Sequence, residues 1–474
     1  MAAWGLAGAP LWAAAQSQAV QAPPLTCLRS FQHSDVSKQF WQRQVSGKTA
    51  LSRRSTQCWA SQNSGAELSS LTASNNGART CTYDVVSLGN LCVDVVLHLD
   101  KMPPLEEVKT SEYLRQLTAQ THSRKFWEVG ASCNFLIAAA RMGLNTAAVA
   151  NLGEDVYGQF LLDVLKEEGV ARFQPLAPEA FDEALKETLL CFVLVNDRSA
   201  AHAFCSRYDF GPWPLLPGVE RLPTEVHQVL RDARGLFVAG CCFDELPPSV
   251  IMEAVSSARS AGAAIFFDPG PRSWTFREPE RRRALNELLD STDVVLMTEE
   301  EAAAITGTSD PEEAAHAILD RPGAVTQWCV VKLGSRGAVL CSKTPRTTYR
   351  QHALMVDVAD TVGCGDSFAA AVVLGYTRGH RIPPLLALAN AIGAATAMGS
   401  GAGRNVATAQ AVRELLQREA AKPGAAWVSW DEEAPPEHAQ EGCEVAAEAL
   451  HILQHTLAQR MHVSSEPAGD KILR

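Results

Sequence analysis

The residues best suited to do chemistry in this sequence form one string, Asp360-Thr361-Val362-Gly363-Cys364-Gly365-Asp366-Ser367-Phe368, followed by an apolar, Ala-rich stretch to about Tyr376. This spacing predicts a loop with two glycines that runs directly into a helix. The first amides of a helix have no intrahelical acceptor, and the helix dipole makes that end positive, so they can hold a phosphate. Glycine at 363 and 365 lets the backbone approach the anion closely. Asp366, beside that nest, is placed to take a proton from an attacking hydroxyl. Proton abstraction combined with stabilisation of phosphoryl charge is what phosphoryl transfer to an alcohol requires. A bare G-x-G-D would more simply be an Asp-capped turn, so the longer string carries the argument.

That whole string resembles the C-terminal signature of the ribokinase-like, or PfkB, carbohydrate kinase family. The resemblance extends over about residues 82–417 and implies ATP and Mg²⁺, with a monovalent cation such as K⁺ as a further expectation. It assigns Asp366 as catalytic base, with Gly363, Cys364 and Gly365 forming the anion hole. Gly89, Asn90 and Asp94 resemble the end of the family's first strand, where Asp94 would bind sugar hydroxyls; a carboxylate can accept two of them at once. Val129-Gly130-Ala131-Ser132-Cys133-Asn134 resembles the N-terminal signature, which implies substrate contacts for Gly130 and Asn134; Val129 stands where a first glycine is usual. Gly153, Asp155, Gly158 and Gly169 follow the next block, as turn and capping positions.

On the nucleotide side, Lys332-Leu333-Gly334-Ser335-Arg336-Gly337 resembles a strand–turn–strand bordering ATP, with Lys332, Gly334, Arg336 and Gly337 as the implied contacts. Gly401-Ala402-Gly403 and Asn405 sit where the family completes the adenine pocket, which makes Gly403 a further nucleotide contact. Met297-Thr298-Glu299-Glu300-Glu301 resembles the N-x-x-E element, with Thr298 in place of Asn; it implies a Mg²⁺ role for Glu301, although acids also favour helix starts. Asp268-Pro269-Gly270 closes another strand, where an acid could position Mg²⁺ or phosphate or simply make a turn. Cys364 lies at a helix N-terminus, a place that lowers a thiol pKa and would allow redox control; a tolerated small residue is the plainer reading.

The elements that must position these residues follow from periodicity. Strands are expected over 83–99, 145–151, 189–196, 235–240, 263–268, 293–297, 328–333 and 337–341, with helices near 132–142, 156–168, 247–261, 281–290, 299–306 and 311–319. Strands alternating with helices imply crossover units around a mostly parallel sheet. The expected class is therefore α/β, a ribokinase-like three-layer α/β/α fold with a small β lid. Segments 94–115 and 189–210 break the alternation and are the lid candidates; the second carries Phe204, Arg207, Tyr208 and Phe210, with Trp213 just beyond. A kinase domain spans 79–418, followed by a linker and helical appendage over 419–474. A Rossmann dinucleotide site would need G-x-G-x-x-G after the first strand, and Gly89-Asn90-Leu91-Cys92 excludes it.

The 474 residues carry a net charge of −11, which argues against broad nucleic-acid binding. No apolar run is long enough for a membrane helix. The thirteen cysteines are scattered and form no C-x-x-C pair, the pattern of buried thiols in a reducing compartment. Residues 1–78 contain six Lys or Arg against two acids, with a Ser-, Ala- and Gln-rich composition. That fits a transit peptide, chloroplast in preference to mitochondrion, or else a disordered tail on a cytoplasmic protein. The expected activity is ATP-dependent phosphorylation of a sugar or nucleoside hydroxymethyl group, by an enzyme able to pair as a homodimer through lid strand 91–99. The alternative is a kinase-like scaffold of a plastid transcription complex.

Overall fold

A break in the first apolar stretch decides the architecture. The expected single strand over 83–99 divides at Gly89-Asn90 into β1 (Val85–Leu88) and β2 (Leu91–Leu99), which belong to different sheets. A Cβ at Gly89 would lie 2.6 Å from Ser132 Oγ, so the crossing point needs glycine. The computed structural model describes residues 81–173, 187–196, 202–210, 215–216, 219–399, 402–421 and 436–463, all within one unit, Gln62–Arg474. The transit segment 1–78 and Trp213 lie outside the described residues.

Beyond β2 come β3 (Trp127–Ala131), β4 (Thr146–Val149), β5 (Ala171–Phe173), β6 (Leu190–Asn196), β7 (His202–Ser206), β8 (Gly235–Ala239), β9 (Ala264–Asp268), β10 (Val294–Thr298), β11 (Trp328–Lys332), β12 (Ala338–Ser342) and β13 (Thr347–Gln351). The central sheet has nine strands in the order β13-β12-β11-β10-β9-β8-β1-β4-β5, parallel except for the β11-β12 and β12-β13 pairs. Its middle strands are runs of Val, Leu, Ile and Phe rather than alternating patterns, because both faces are covered. From β8 the order steps outward through β9, β10 and β11; from β1 it steps the other way through β4 and β5. Right-handed crossovers then place helices on opposite faces, and the reversal between β1 and β8 opens a crevice at the strands' carboxyl ends.

The helices that matter for the site are α1 (Ser111–Thr118), α2 (Ser132–Arg141), α3 (Val156–Glu168), α4 (Thr224–Arg231), α5 (Pro248–Ser260), α6 (Pro279–Asp290), α7 (Glu299–Thr306), α8 (Pro311–Leu319), α9 (Cys364–Arg378), α10 (Ile382–Ala397), α11 (Ala409–Ala420) and α12 (Pro436–Val463). Phe135 of α2 stacks on Phe237 of β8 with ring centroids 3.9 Å apart, and Tyr376 of α9 meets Phe266 and Trp328 edge-on. The next residue along β9, Phe267, points the other way onto Phe243, as strand alternation requires. Asp155 caps α3 through Gly158 N at 2.7 Å and also accepts from Thr188, as a capping acid should.

The lid is a four-stranded sheet in the order β3-β2-β6-β7. It includes β3, outside the expected lid segment 94–115, and α1 forms part of the insertion between β2 and β3. β2 lies inside this sheet, flanked by β3 and β6, so it offers no open edge to a second copy; only β3 and β7 do. The sequence reading also lacked α10, whose apolar residues surround the whole helix and so give no amphipathic stripe.

The last helix is longer than expected and packs onto the domain. α12 lies against α10 and α11 and buries Ala449, Ile452 and Leu453. Arg460 donates to the carbonyls of Ala140, near the end of α2, and Glu168, at the end of α3. A cation is favourable at the negative ends of two helices. No described helix is long and apolar enough to cross a membrane.

Candidate active site

The ends of three neighbouring strands and the start of α9 meet in the crevice. Gly363 has φ +80°, the left-handed conformation that lets the loop turn into α9. Cys364, Gly365 and Asp366 then occupy the first turn, where amides lack intrahelical acceptors. The Asp366 carboxylate accepts from Asn134 Nδ2 at 3.1 Å, while Asn134 Oδ1 accepts from Gly403 N at 2.8 Å. One buried amide side chain on α2 therefore ties Asp366 to the loop expected to border the nucleotide. Burial, reinforced by the Asp268 charge, pushes the Asp366 carboxyl up to about 6; Lys332 and the Asn134 hydrogen bond act against it.

β9, β10 and β11 end side by side, so Asp268, Thr298 and Lys332 share one rim of the sheet. Lys332 Nζ donates to Asp268 Oδ2 at 2.6 Å, and both side chains are nearly buried. A Cβ on Gly365 would lie 3.4 Å from Nζ, which puts the ammonium against the nest itself. Glu301 receives Thr298 N at 2.7 Å, and Thr298 Oγ1 caps Glu301 N, completing a reciprocal capping box. Thr298 thus fills the family's Asn position as a helix cap. Burial and then Asp268 push the Glu301 carboxyl up to about 7.

The acceptor side is built on the lid. The Asp94 carboxylate lies over Gly130 so closely that a Cβ there would be 2.3 Å from Oδ2. Burial pushes Asp94 up to about 7, with Glu128 adding to the rise and a hydrogen bond from Cys92 Sγ at 3.3 Å opposing it. Val129, in the usual place of a glycine, is buried, and its carbonyl faces Gly403. Gly403 has φ +67°, and a Cβ there would lie 2.3 Å from Val129 O. Glu128 accepts from Arg404 N at 2.9 Å and Arg404 Nε at 3.0 Å, which fastens the lid strand to the Gly403 loop.

The remaining expected residues are less central. Gly334 and Arg336 form a short turn between β11 and β12, and Arg336 pairs with Glu299. No described contact joins Arg336 to Asp366. A Cβ on Gly337 would lie 1.9 Å from Gln351 O, so packing on the β13 side explains that glycine. At Cys364, burial, then Asp360 and Asp366, push the thiol up to about 12, the opposite of the activated thiol that redox control would need.

One cluster escaped the sequence reading. Glu245, just after β8, accepts from Asn90 N at 3.1 Å and from the Tyr208 hydroxyl, and Asn90 Nδ2 donates to that hydroxyl at 3.3 Å. Burial pushes Glu245 up to about 7. Tyr208 therefore tethers the end of the lid to the crevice floor. These partners are separated by 118 and 155 positions, so no local pattern announces them.

The pfkB family carbohydrate kinase pattern matches residues 84–409. The chain belongs to that family. It is 27% identical over 365 residues to probable fructokinase-4 of Arabidopsis thaliana, covering 73% of this chain and 99% of that protein. It is 24% identical over 307 residues to 5-dehydro-2-deoxygluconokinase of Geobacillus thermodenitrificans, covering 63% and 83%. The Arabidopsis thaliana ribokinase solved with ribose and ATP superposes with a TM-score of 0.53 at 21% identity, covering 70% of this chain and 98% of that one. The protein is a carbohydrate kinase of ribokinase-like fold, and kinases of this family use ATP and Mg²⁺ to phosphorylate small sugars.

The residues present suit those cofactors. Mg²⁺ prefers hard oxygen donors and is usually held by one or two carboxylates together with substrate phosphates. The crevice offers Glu301 on that pattern, and among the described residues no three His, Cys, Asp or Glu side chains form a closed metal cage.

Proposed function

We propose that this chain transfers the terminal phosphoryl group of ATP to a hydroxymethyl group of a small sugar, with Asp366 as general base. The carrying observation is the Asn134 bridge, which holds Asp366 at 3.1 Å and the Gly403 amide at 2.8 Å in one hydrogen-bonded line. A base fixed in this way is pre-oriented, and orientation is a large part of what phosphoryl transfer asks of a protein. Asp94 accepts hydroxyls of the acceptor, and Gly130, lacking a Cβ, leaves room for that carboxylate. The acceptor hydroxyl passes its proton to Asp366 as its oxygen forms the new bond to the terminal phosphorus, and the bond from that phosphorus to the bridging oxygen breaks, with ADP as the leaving group. The first amides of α9 stabilise the charge on the transferring group. Mg²⁺, when bound, neutralises phosphate charge, and Glu301 is the carboxylate best suited to hold it.

Acid-bearing and neutral sugars are both in scope, because the relatives described above are named a 5-dehydro-2-deoxygluconokinase and a probable fructokinase. The test is Mg²⁺-dependent ADP release by the full chain across fructose, ribose, 5-dehydro-2-deoxygluconate and nucleosides, with Asp366→Asn beside it. Turnover with one acceptor that falls about 10²–10⁴-fold in the variant supports the reading. Wild-type turnover that survives Asp366→Asn would remove Asp366 from its role.

A further inference from the structure

Lys332 was expected to reach the ATP phosphates, yet its surroundings describe a different task. Its ammonium lies 2.6 Å from Asp268 Oδ2 and is almost enclosed. A Cβ on Gly365, the neighbour of Asp366 in the first turn of α9, would lie 3.4 Å from that ammonium, which sets the pair of Lys332 with Asp268, ending β9, against the base. Asp268 also makes a turn of its own, accepting Gly270 N at 3.1 Å, which fixes it in place. Like charges in a poorly solvated site oppose one another strongly, and a cation paired with one of them weakens that opposition. Asp268 contributes to the pressure on Asp366, and Lys332 relieves it.

We propose that Lys332 is a positioning residue for the base: by pairing with Asp268 it offsets the charge of that carboxylate, so that Asp366 can serve as a carboxylate. It is not primarily a ligand of the nucleotide. This inference rests on the assignment of Asp366 as base. It goes further by giving the buried ion pair a catalytic purpose and by predicting that the two members can be removed together.

The experiment compares wild type, Lys332→Met, Asp268→Asn and the double variant, using ATP with the panel sugar that wild type turns over fastest. ADP binding without acceptor is measured by calorimetry, and thermal melting checks the fold. Lys332→Met should lower kcat on the order of 10²-fold while leaving ADP affinity within about threefold. The double variant should regain at least about tenfold of that kcat, because the uncancelled charge has gone with its partner. A tenfold or greater loss of ADP affinity in Lys332→Met would overturn the proposal, since that is the behaviour of a phosphate ligand. So would a double variant no faster than Lys332→Met. If wild type turned over no panel sugar, the proposed function would fail first. This inference, which assigns Lys332 to that base, would fail with it, whereas wild-type turnover combined with lost ADP affinity in Lys332→Met would end this inference alone.

Discussion

With its carboxyl raised to about 6, Asp366 is ionised at neutral pH but keeps more affinity for a proton than a solvated aspartate. A general base acts only when deprotonated, so kcat/KM, which reports the free enzyme, should fall as pH drops through about 6 and level off above it. A pH profile of kcat/KM for the acceptor reads this directly, and a profile flat down to pH 4.5 would contradict it. Gly130 gives a second test. Its missing Cβ is the space occupied by the Asp94 carboxylate, 2.3 Å away. Gly130→Ala should therefore raise the acceptor KM by at least about tenfold while hardly moving that of ATP, since the changed contact belongs to acceptor binding alone. At this scale the sequence was informative wherever chemistry is local. The Asp360–Phe368 string announces its loop and base because neighbours in sequence are neighbours in space. The Glu245–Tyr208–Asn90 cluster was invisible because its members come from the short helix Cys242–Glu245, the turn after β7 and the link between β1 and β2.

Among the elements, strand–helix alternation was legible because buried parallel strands and amphipathic helices have different periods. Two features were not. Gly89-Asn90 reads as part of one long apolar strand, yet steric closeness to Ser132 turns the chain from one sheet to the other. α10 has no polar face to betray it, since α9 and α12 both pack against it. Arg460 supplies the prediction here. It bonds carbonyls near the ends of α2, which carries Asn134, and α3. Arg460→Ala leaves those carbonyls without their cation and should cost about 1–2 kcal/mol, read as a melting point lower by about 2–4 °C. An unchanged melting curve would show that solvent serves those carbonyls equally well.

For the molecule as a whole, four buried carboxyls set the direction of its response to pH. Asp94, Glu245 and Glu301 are pushed to about 7 and Asp366 to about 6. Each lies above its unfolded value, so the native state holds more protons than the unfolded chain between about pH 4 and 7. Their contribution to stability is complete below that window and is lost as pH rises through it. His380, lowered chiefly by burial, works in the opposite sense, losing stability on acidification. The ligand-free protein should melt higher near pH 5.5 than near pH 8, and Glu245→Gln should flatten that slope. A melting temperature that climbs steadily from pH 5.5 to 8 would refute this balance.

The way α12 closes the domain also bears on how the protein is made. α10 ends at Ala397, but the helix that covers its outer side is not finished until Val463. At a synthesis rate of about 5–20 residues per second, a ribosome needs roughly 3–13 s to make the intervening chain. For that interval a nearly all-apolar helix stands beside the nascent domain with one side bare. The newborn enzyme must therefore either tolerate a sticky surface or be chaperoned until its last helix arrives. Cutting the gene at the end of the family's common region would make that passing vulnerability permanent.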